Sequence, residues 1–134
     1  NHKPSFYNHK NGVFFEDKAE KYLLRNKYKI LHSRYKSKYG EIDIIAEESN
    51  LKANILKNGL KFKSYKKSLV FVEVKSRKTD ELIEQILRKT QIQRIKNCSL
   101  DFLANNLEYE DCNIRFDFIL FDMHGKMTHF ENYF

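Results

Sequence analysis

The order of helical and strand-like patterns along this chain predicts an α/β sandwich, a mixed sheet flanked by helices. A helical pattern comes first and three strand-like runs follow. A second long helical pattern then separates these from two further strand-like runs. The chain has 134 residues, a length that suits one domain. Because no internal repeat or linker divides the chain, we expect a single domain over residues 1–134.

The first part of the chain supplies one helix and two strands. Apolar residues recur at helical spacing from Gly12 to about Asn26, while charged residues occupy the other side. Residues 28–36 are rich in β-forming side chains, and residues 41–47 form a second strand-like run in which Glu41 and Asp43 alternate with Ile42 and Ile44. With Gly40 marking a turn between them, these two runs are predicted to be adjacent strands.

A lysine-rich segment follows at about residues 49–67. It holds six lysines and no acidic residue, which leaves a formal net charge of only +1, out of +7, on the rest of the chain. We predict an insertion here, either an extended hairpin or a flexible flap. Clustered positive charge suits a phosphate backbone, because binding releases counterions. A solvated surface loop is the equally weighted alternative.

The second part of the chain supplies the remaining elements. Residues 68–77 give the strongest strand pattern, with valines alternating against other side chains. Residues 80–106 contain no Gly or Pro and are predicted to be helical, with a break near Lys89 and Thr90. Residues 113–122 predict a strand, and residues 126–133 its hairpin partner after a turn at Gly125.

Charged side chains interrupt two of the apolar strands. Period-two alternation puts Glu73 and Lys75 on one face of their strand. In the preceding run Asp43 is expected on the face opposite Ile42 and Ile44. If the two strands pair antiparallel with Asp43 opposite Glu73, their Cβ atoms lie about 5 Å apart. A buried charge is costly unless it is paired or bound to a metal.

Two carboxylates at this distance favour a divalent cation, and Mg²⁺ or Mn²⁺ is the expected cofactor. Lys75 would stand beside the metal, where it can orient the attacking water or stabilise charge on the phosphate. Glu16 borders the apolar stripe of the first helix and adds a further acid. The alternative is an ordinary Glu/Lys pair on a solvent-facing sheet surface, together with a surface glutamate on the helix.

Several blocks, in order along nearly the whole chain, resemble the YraN-like family of uncharacterised proteins, which are predicted endonucleases. They are Gly12, Glu16, Ala19, Tyr22 and Leu23, and then residues 40–46, 70–77, 115–117 and 132–134. That family belongs to the PD-(D/E)XK nuclease superfamily and is similar to archaeal Holliday-junction resolvases. The resemblance implies a restriction-endonuclease-like core of three layers.

The resemblance also implies roles for individual residues. Asp43 and Glu73 would be metal ligands, Lys75 the catalytic lysine and Glu16 an acid carried by the helix. Gln91 stands where the family usually has a lysine on the second helix; it cannot supply positive charge, although it can hydrogen-bond a water or a phosphate. The lysine-rich segment replaces what is usually a tight turn.

Other polar residues have more than one interpretation. Arg115 and Asp117 share one face of a strand and are expected to form a structural ion pair or to support the site. His124 and His129 are interpreted as solvated turn residues. Candidate phosphate contacts are Arg34, Lys36, Lys61, Lys63, Lys66, Lys67 and Arg77.

These observations predict a metal-dependent endonuclease that hydrolyses phosphodiester bonds in DNA. It would select branched or recombination intermediates by their structure, or act non-specifically. The alternative is a nucleic-acid-binding or scaffolding module without turnover. RNA is a less favoured substrate, and the sequence leaves dimerisation open. Since no apolar run approaches the roughly 20 residues of a membrane span, we expect a cytoplasmic protein that binds no membrane.

Overall fold

A computed structural model of the chain describes residues 5–55, 59, 61–78, 80 and 82–134. Side chains are described at residues 12–49, 59, 67–78, 80 and 82–134. None of the helices in these ranges combines the length and the apolar character that crossing a membrane requires.

The elements follow the order that the sequence predicts. They are α1 (Ser5–Arg25), β1 (Tyr28–Ser37), β2 (Gly40–Ile55), β3 (Lys61–Ser76), α2 (Ile83–Ile86), α3 (Lys89–Asn105), a 3-10 turn (Leu107–Tyr109), β4 (Asn113–Phe121) and β5 (Met127–Phe130).

The described strands form a mixed sheet of five strands in the order β1-β2-β3-β4-β5. The strands β1, β2 and β3 make an antiparallel meander, and β4 and β5 an antiparallel hairpin. Between β3 and β4 the pairing is parallel, because the connection through α2 and α3 returns the chain to the same end of the sheet. Helices cover both faces, so the predicted α/β class and restriction-endonuclease-like core are confirmed.

Apolar side chains fill both faces of the sheet. Under α1, Ala19 and Leu23 pack on alternate residues of β2 and β3, among them Ile44 and Val72. Under α3, Phe102 packs on Phe71, with ring centroids 6.0 Å apart. The central strands therefore contribute to two hydrophobic layers at once, which explains their nearly continuous apolar sequence.

The structure differs from the sequence prediction in its boundaries. Helix α1 begins at Ser5 rather than at Gly12, and the predicted break in the second helix falls at residues 87–88, between α2 and α3. The lysine-rich segment extends β2 and β3 as a paired hairpin, which was one of the two predicted forms.

The prediction that Ile42 and Ile44 share a face is wrong. Ile44 packs under α1, whereas Ile42 packs under α3. The ladder between β2 and β3 pairs Ile44 with Val72 but does not continue to residue 43. Without a partner on β3, the start of β2 is free to depart from strict alternation.

A buried polar network links five elements beneath α1. Asp117 is fully buried and accepts hydrogen bonds from Arg115 at 2.8 Å and from the backbone N–H of Asn132 at 2.9 Å. His129 Nε2 lies 2.7 Å from Asp117, and its Nδ1 lies 2.9 Å from the hydroxyl of Tyr22. Arg115 also donates to Glu48 on β2 and to the hydroxyl of Tyr28 on β1.

The contacts of this network test two predictions made from the sequence. Arg115 and Asp117 form a structural ion pair, and the network joins them to Tyr28, Glu48, His129 and Asn132 rather than to the predicted catalytic residues. The interpretation of His129 as a solvated turn residue is wrong, since its side chain is only 7% exposed. Its strand β5 folds back onto β4 and carries the ring beneath α1, whereas His124 stays exposed in the turn.

Candidate functional site

The predicted site residues lie where β2 and β3 separate. Because Ile44 pairs with Val72, the next positions along the two antiparallel strands are Asp43 and Glu73. The backbone ladder does not include this pair. Instead the N–H of Val74 donates to Asp43 Oδ2 at 2.8 Å. The carboxylate of Asp43 therefore takes the place of a strand carbonyl at the point where the strands diverge.

Three carboxyl groups form a row across this opening. Asp43 is within hydrogen-bonding reach of Glu73 on one side and of Glu16 on the other. Burial, followed by the Glu73 carboxylate, raises the pKa of Asp43 well above its usual value, although the Val74 N–H and Lys75 oppose the shift. Such a cluster holds protons that a free carboxylate would lose, or attracts a cation.

Glu16 enters the row from α1 and is held from the other side by Arg34. Arg34 Nε donates to Glu16 Oε2 at 2.7 Å. Burial raises the pKa of Glu16 to about 7; the Arg34 guanidinium lowers it, and the Asp43 carboxylate raises it. Arg34 was predicted to contact phosphate; in the structure its guanidinium donates to Glu16.

The backbone at Arg34 is unusual for a strand. Its φ is +55°, a region that residues other than glycine rarely adopt. The register between β1 and β2 also shifts between Ile30 and His32. Strand β1 is therefore irregular at the point where it carries Arg34, and a departure of this kind costs about 1–3 kcal/mol.

Lys75 and Gln91 meet beside the carboxyl groups. With the Gln91 amide oriented so that its nitrogen donates to the Ile86 carbonyl at 3.2 Å, its oxygen accepts from Lys75 Nζ at 3.2 Å. Gln91 lies in the first turn of α3. The neutral amide can therefore hold the ammonium group of Lys75 without adding charge of its own.

Glu16, Asp43 and Lys75 border a cleft of about 370 Å³. Its lining residues are Gly12, Phe15, Glu16, Asp43, Val74, Lys75, Ser76 and Lys78. Sequence reasoning assigned no role to Lys78, although it ends the basic run that follows Glu73. The cleft thus has acidic groups at its centre and basic groups along the side formed by the end of β3.

The donor set suits a hard divalent cation. Asp43 and Glu73 offer carboxylate oxygens, which Mg²⁺ prefers, and Mg²⁺ keeps several waters besides one or two carboxylates. No group of three or more His, Cys, Asp or Glu side chains within the described ranges is arranged to hold a metal ion. The raised pKa of Asp43 is consistent with a carboxyl cluster that gains from added positive charge.

The other predicted phosphate contacts lie at different places. Lys36 is exposed on β1, opposite Glu41 of β2. Lys67 lies 3.4 Å from Glu47 with its side chain half exposed. Arg77 borders a second cleft, of about 410 Å³, beside the first. The side chains of Lys61, Lys63 and Lys66 lie outside the described set.

Comparison with known proteins identifies similar chains. The family described as "Uncharacterised protein family UPF0102" matches residues 15–121. A UPF0102 protein of Sulfurihydrogenibium sp. (strain YO3AOP1) is 40% identical over 126 residues, which cover 92% of both chains. One of Fusobacterium nucleatum is 33% identical, covering 79% of this chain and 76% of its own. One of Alkaliphilus oremlandii is 33% identical over 133 residues, covering 95% and 99%.

Proposed function

Because the chain belongs to the uncharacterised family UPF0102, the YraN-like group, we propose its function from its own residues: a metal-dependent nuclease that hydrolyses phosphodiester bonds in DNA. The observation that carries this proposal is the row of Glu16, Asp43 and Glu73 with Lys75 beside it. A site of this kind combines groups that bind a cation with groups that act on a phosphate.

In this proposal Asp43 and Glu73 hold Mg²⁺ or Mn²⁺. A divalent cation in such a site lowers the pKa of bound water and neutralises charge on the phosphate. The Val74 N–H fixes Asp43 Oδ2 at 2.8 Å, so the orientation of this carboxylate is set by the fold. A ligand held in place beforehand loses little side-chain entropy on binding.

The other side chains act on the substrate and on water. The Lys75 ammonium, oriented by the Gln91 amide, donates to a phosphate oxygen and stabilises the charge that develops there. In the metal-free protein the pKa of Glu16 is raised to about 7, and a cation held by the neighbouring Asp43 would lower it. Glu16 would then be a carboxylate that can accept a hydrogen bond from a water in the cleft. Arg34 keeps this carboxyl in position. Contacts of these kinds recognise phosphate rather than sequence, which favours structure-selective or non-specific cleavage.

Cleavage assays test this function. Branched, single-stranded and duplex DNA are incubated with Mg²⁺ or Mn²⁺ and with the wild type, Glu73→Gln or Lys75→Met. We expect each substitution to lower the rate by about 100-fold or more, as removal of one group that stabilises a transition state does. Glu41→Gln is the matched control, because Glu41 is an exposed carboxylate on the same strand as Asp43. Equal rates in all four proteins, or no cleavage by the wild type on any substrate, would contradict the proposal.

A nucleic-acid-binding module without turnover is the second candidate, and the neutral Gln91 at a position where the YraN-like family usually has a lysine favours it. In that case binding survives Asp43→Asn and Glu73→Gln, falls steeply with salt, and no metal-dependent cleavage accompanies it. Competition between DNA and RNA in the same assay decides the preferred nucleic acid.

A further inference from the structure

The strands β2 and β3 extend beyond both of their neighbours. Pairing of β1 with β2 ends at Tyr28 and Glu48, and pairing of β4 with β3 begins at Ser68 and Asn113. Beyond these positions β2 and β3 pair only with each other in the described residues, from Ser49 with Lys67 to Ile55 with Lys61. We call residues 49–55 and 61–67 the arm.

The segment of residues 49–67, which contains the arm, carries almost all of the chain's excess positive charge. Between residues 49 and 67 the sequence has six lysines and no Asp or Glu, whereas the remaining residues sum to a formal charge of only +1. Two acids lie at the base of the arm: Glu48 pairs with Arg115, and Glu47 lies 3.4 Å from Lys67. A two-stranded ribbon with this charge is complementary to a nucleic-acid backbone.

The arm leaves the sheet at the end away from the candidate catalytic cleft. Asp43 precedes the first arm residue of β2, Ser49, by six positions, which corresponds to about 20 Å of extended strand. The end of the arm, at Ile55, is twice as far along, at about 40 Å. Since a base pair rises about 3.4 Å, these distances correspond to about 6 and 12 base pairs of duplex.

The strand β1 runs between these two ends of the molecule. In the described residues it pairs only with β2, so its outer edge faces away from the sheet. Its lysines Lys29 and Lys36 are exposed, the first near the arm and the second near the cleft. A polyanion that lies along this edge meets Lys36 near the cleft, Lys29 near the base of the arm and the lysines of the arm beyond it, although Lys36 and Lys29 stand opposite Glu41 and Glu47 of β2.

We propose that the arm grips the phosphate backbone of duplex DNA about 6–12 base pairs to one side of the phosphodiester that occupies the cleft. The proposal rests on the proposed function for the position of the reacting phosphate. It assigns to the arm a substrate-holding role that is separate from catalysis. The enzyme then requires a continuous stretch of duplex next to its cleavage point.

Binding without metal tests this proposal independently of cleavage. The probes are fluorescent DNA duplexes of 30 and 8 base pairs. The shorter one spans about 27 Å and cannot reach from the cleft to Lys63 and Lys61, whose strand partners Ala53 and Ile55 lie about 33 and 40 Å along β2 from Asp43. The arm variant is Lys61→Gln/Lys63→Gln. The matched control is Lys21→Gln/Arg25→Gln, which removes two exposed positive charges from α1. Circular dichroism verifies that both variants keep the wild-type fold.

For the 30-base-pair duplex we expect the arm variant to bind about tenfold more weakly at 0.15 M salt. The slope of log affinity against log salt should fall by about two, one unit for each lost phosphate contact. The preference for 30 over 8 base pairs should shrink in the arm variant and stay unchanged in the control.

The proposal is contradicted if the wild type does not bind, if the arm and control substitutions have equal effects, or if the arm variant loses affinity equally for both duplex lengths. Lysines on an uncovered strand edge also oppose pairing with other chains. An arm variant that aggregates without losing DNA affinity would assign the lysines to that role instead. Because no cleavage is measured, loss of the proposed nuclease activity leaves the interpretation of this assay unchanged.

Discussion

The chemistry of the candidate site depends on how individual side chains are held. Asp43 is fixed by a backbone N–H of the neighbouring strand, Glu16 by Arg34, and Lys75 by Gln91. Each group that would act on a substrate therefore has a partner outside the reaction. Burial raises the pKa of both Asp43 and Glu16, and a neighbouring carboxylate adds to each shift, Glu73 for Asp43 and Asp43 for Glu16. The site without a cation is therefore electrostatically unfavourable.

The pH dependence of stability tests this electrostatic cost. The pKa of Glu16 is about 7 in the folded protein, against a usual value of 4.5. Between these values the folded protein binds a proton that the unfolded chain has lost. In metal-free buffer the free energy of unfolding should therefore fall as pH rises from about 4.5 to about 7, by up to about 3 kcal/mol from this group. Urea unfolding at pH 5 and pH 8 in the presence of a chelator measures the difference.

Glu16→Gln should reduce this pH dependence, because the amide does not titrate. A part should remain, since the pKa of Asp43 is raised as well and acts in the same direction. If wild type and Glu16→Gln lose equal stability between pH 5 and pH 8, the assignment to Glu16 is incorrect.

The buried network tests a purely structural role. We expect Asp117→Asn to lower the free energy of unfolding by about 3 kcal/mol, because it removes a fully buried charge that Arg115 and His129 both contact, while Glu48 remains paired with Arg115. Glu131→Gln is the control: its side chain is 59% exposed and lies 3.9 Å from the same guanidinium. The control should cost no more than about 1 kcal/mol. Chemical denaturation followed by circular dichroism gives both values, and equal losses would contradict the structural role.

Among the elements, β2 and β3 each have two parts with different surroundings. Their inner parts are buried between α1 and α3, while their outer parts form the arm. The change occurs at Glu48 and Ser68, where the pairing with β1 and β4 ends or begins. The inner parts hold the fold together, and the arm makes no strand pairing with the rest of the sheet within the described residues.

Shortening the arm tests this division. Replacing residues 50–66 by Asn-Gly joins Ser49 to Lys67, which pair directly, through a two-residue turn that suits the twist of a hairpin. We expect the arm to contribute no more than about 1 kcal/mol to the free energy of unfolding. The melting temperature should therefore change by only a few degrees, since about 1 kcal/mol corresponds to about 4 °C in a domain of this size. Thermal unfolding measured by circular dichroism checks this, and loss of the folded state would show that the arm stabilises the sheet.

At the scale of the whole molecule, two hydrophobic layers share one sheet. Because β2 and β3 contribute side chains to both layers, neither layer can lose its packing while the other stays unchanged. The molecule should therefore unfold as one cooperative unit, as small domains generally do.

Substituting Phe102 tests this coupling. Its ring contacts His32, Tyr35, Phe71 and Tyr109 under α3, so Phe102→Ala should cost about 3–5 kcal/mol. Hydrogen exchange should show the loss of protection in the buried turns of α1 as well as in α3, although α1 lies on the opposite face. Loss confined to α3 would indicate that the two layers unfold separately.

The sequence by itself determined the order of the elements and the fold class, and it singled out the carboxyl groups and the lysine of the candidate site. Periodicity was sufficient for this, because helices and strands bury opposite patterns of side chains. Lys75 and Glu73 were found because charge inside a β-branched run is costly without a partner. The family resemblance, confirmed by the match to UPF0102, added Gln91.

Only the tertiary structure decided which partner each polar residue has. Arg34 donates a hydrogen bond to Glu16, and His129 is buried against Asp117. Ile42 and Ile44 pack on opposite faces of the sheet. The first outcome depends on the positive φ of Arg34, and the second on β5 folding back onto β4. The third depends on the pairing of β2 with β3, which ends at Ile44, one residue before Asp43. Contacts between residues far apart in the chain set all three, and local sequence patterns carry no information about contacts of that kind.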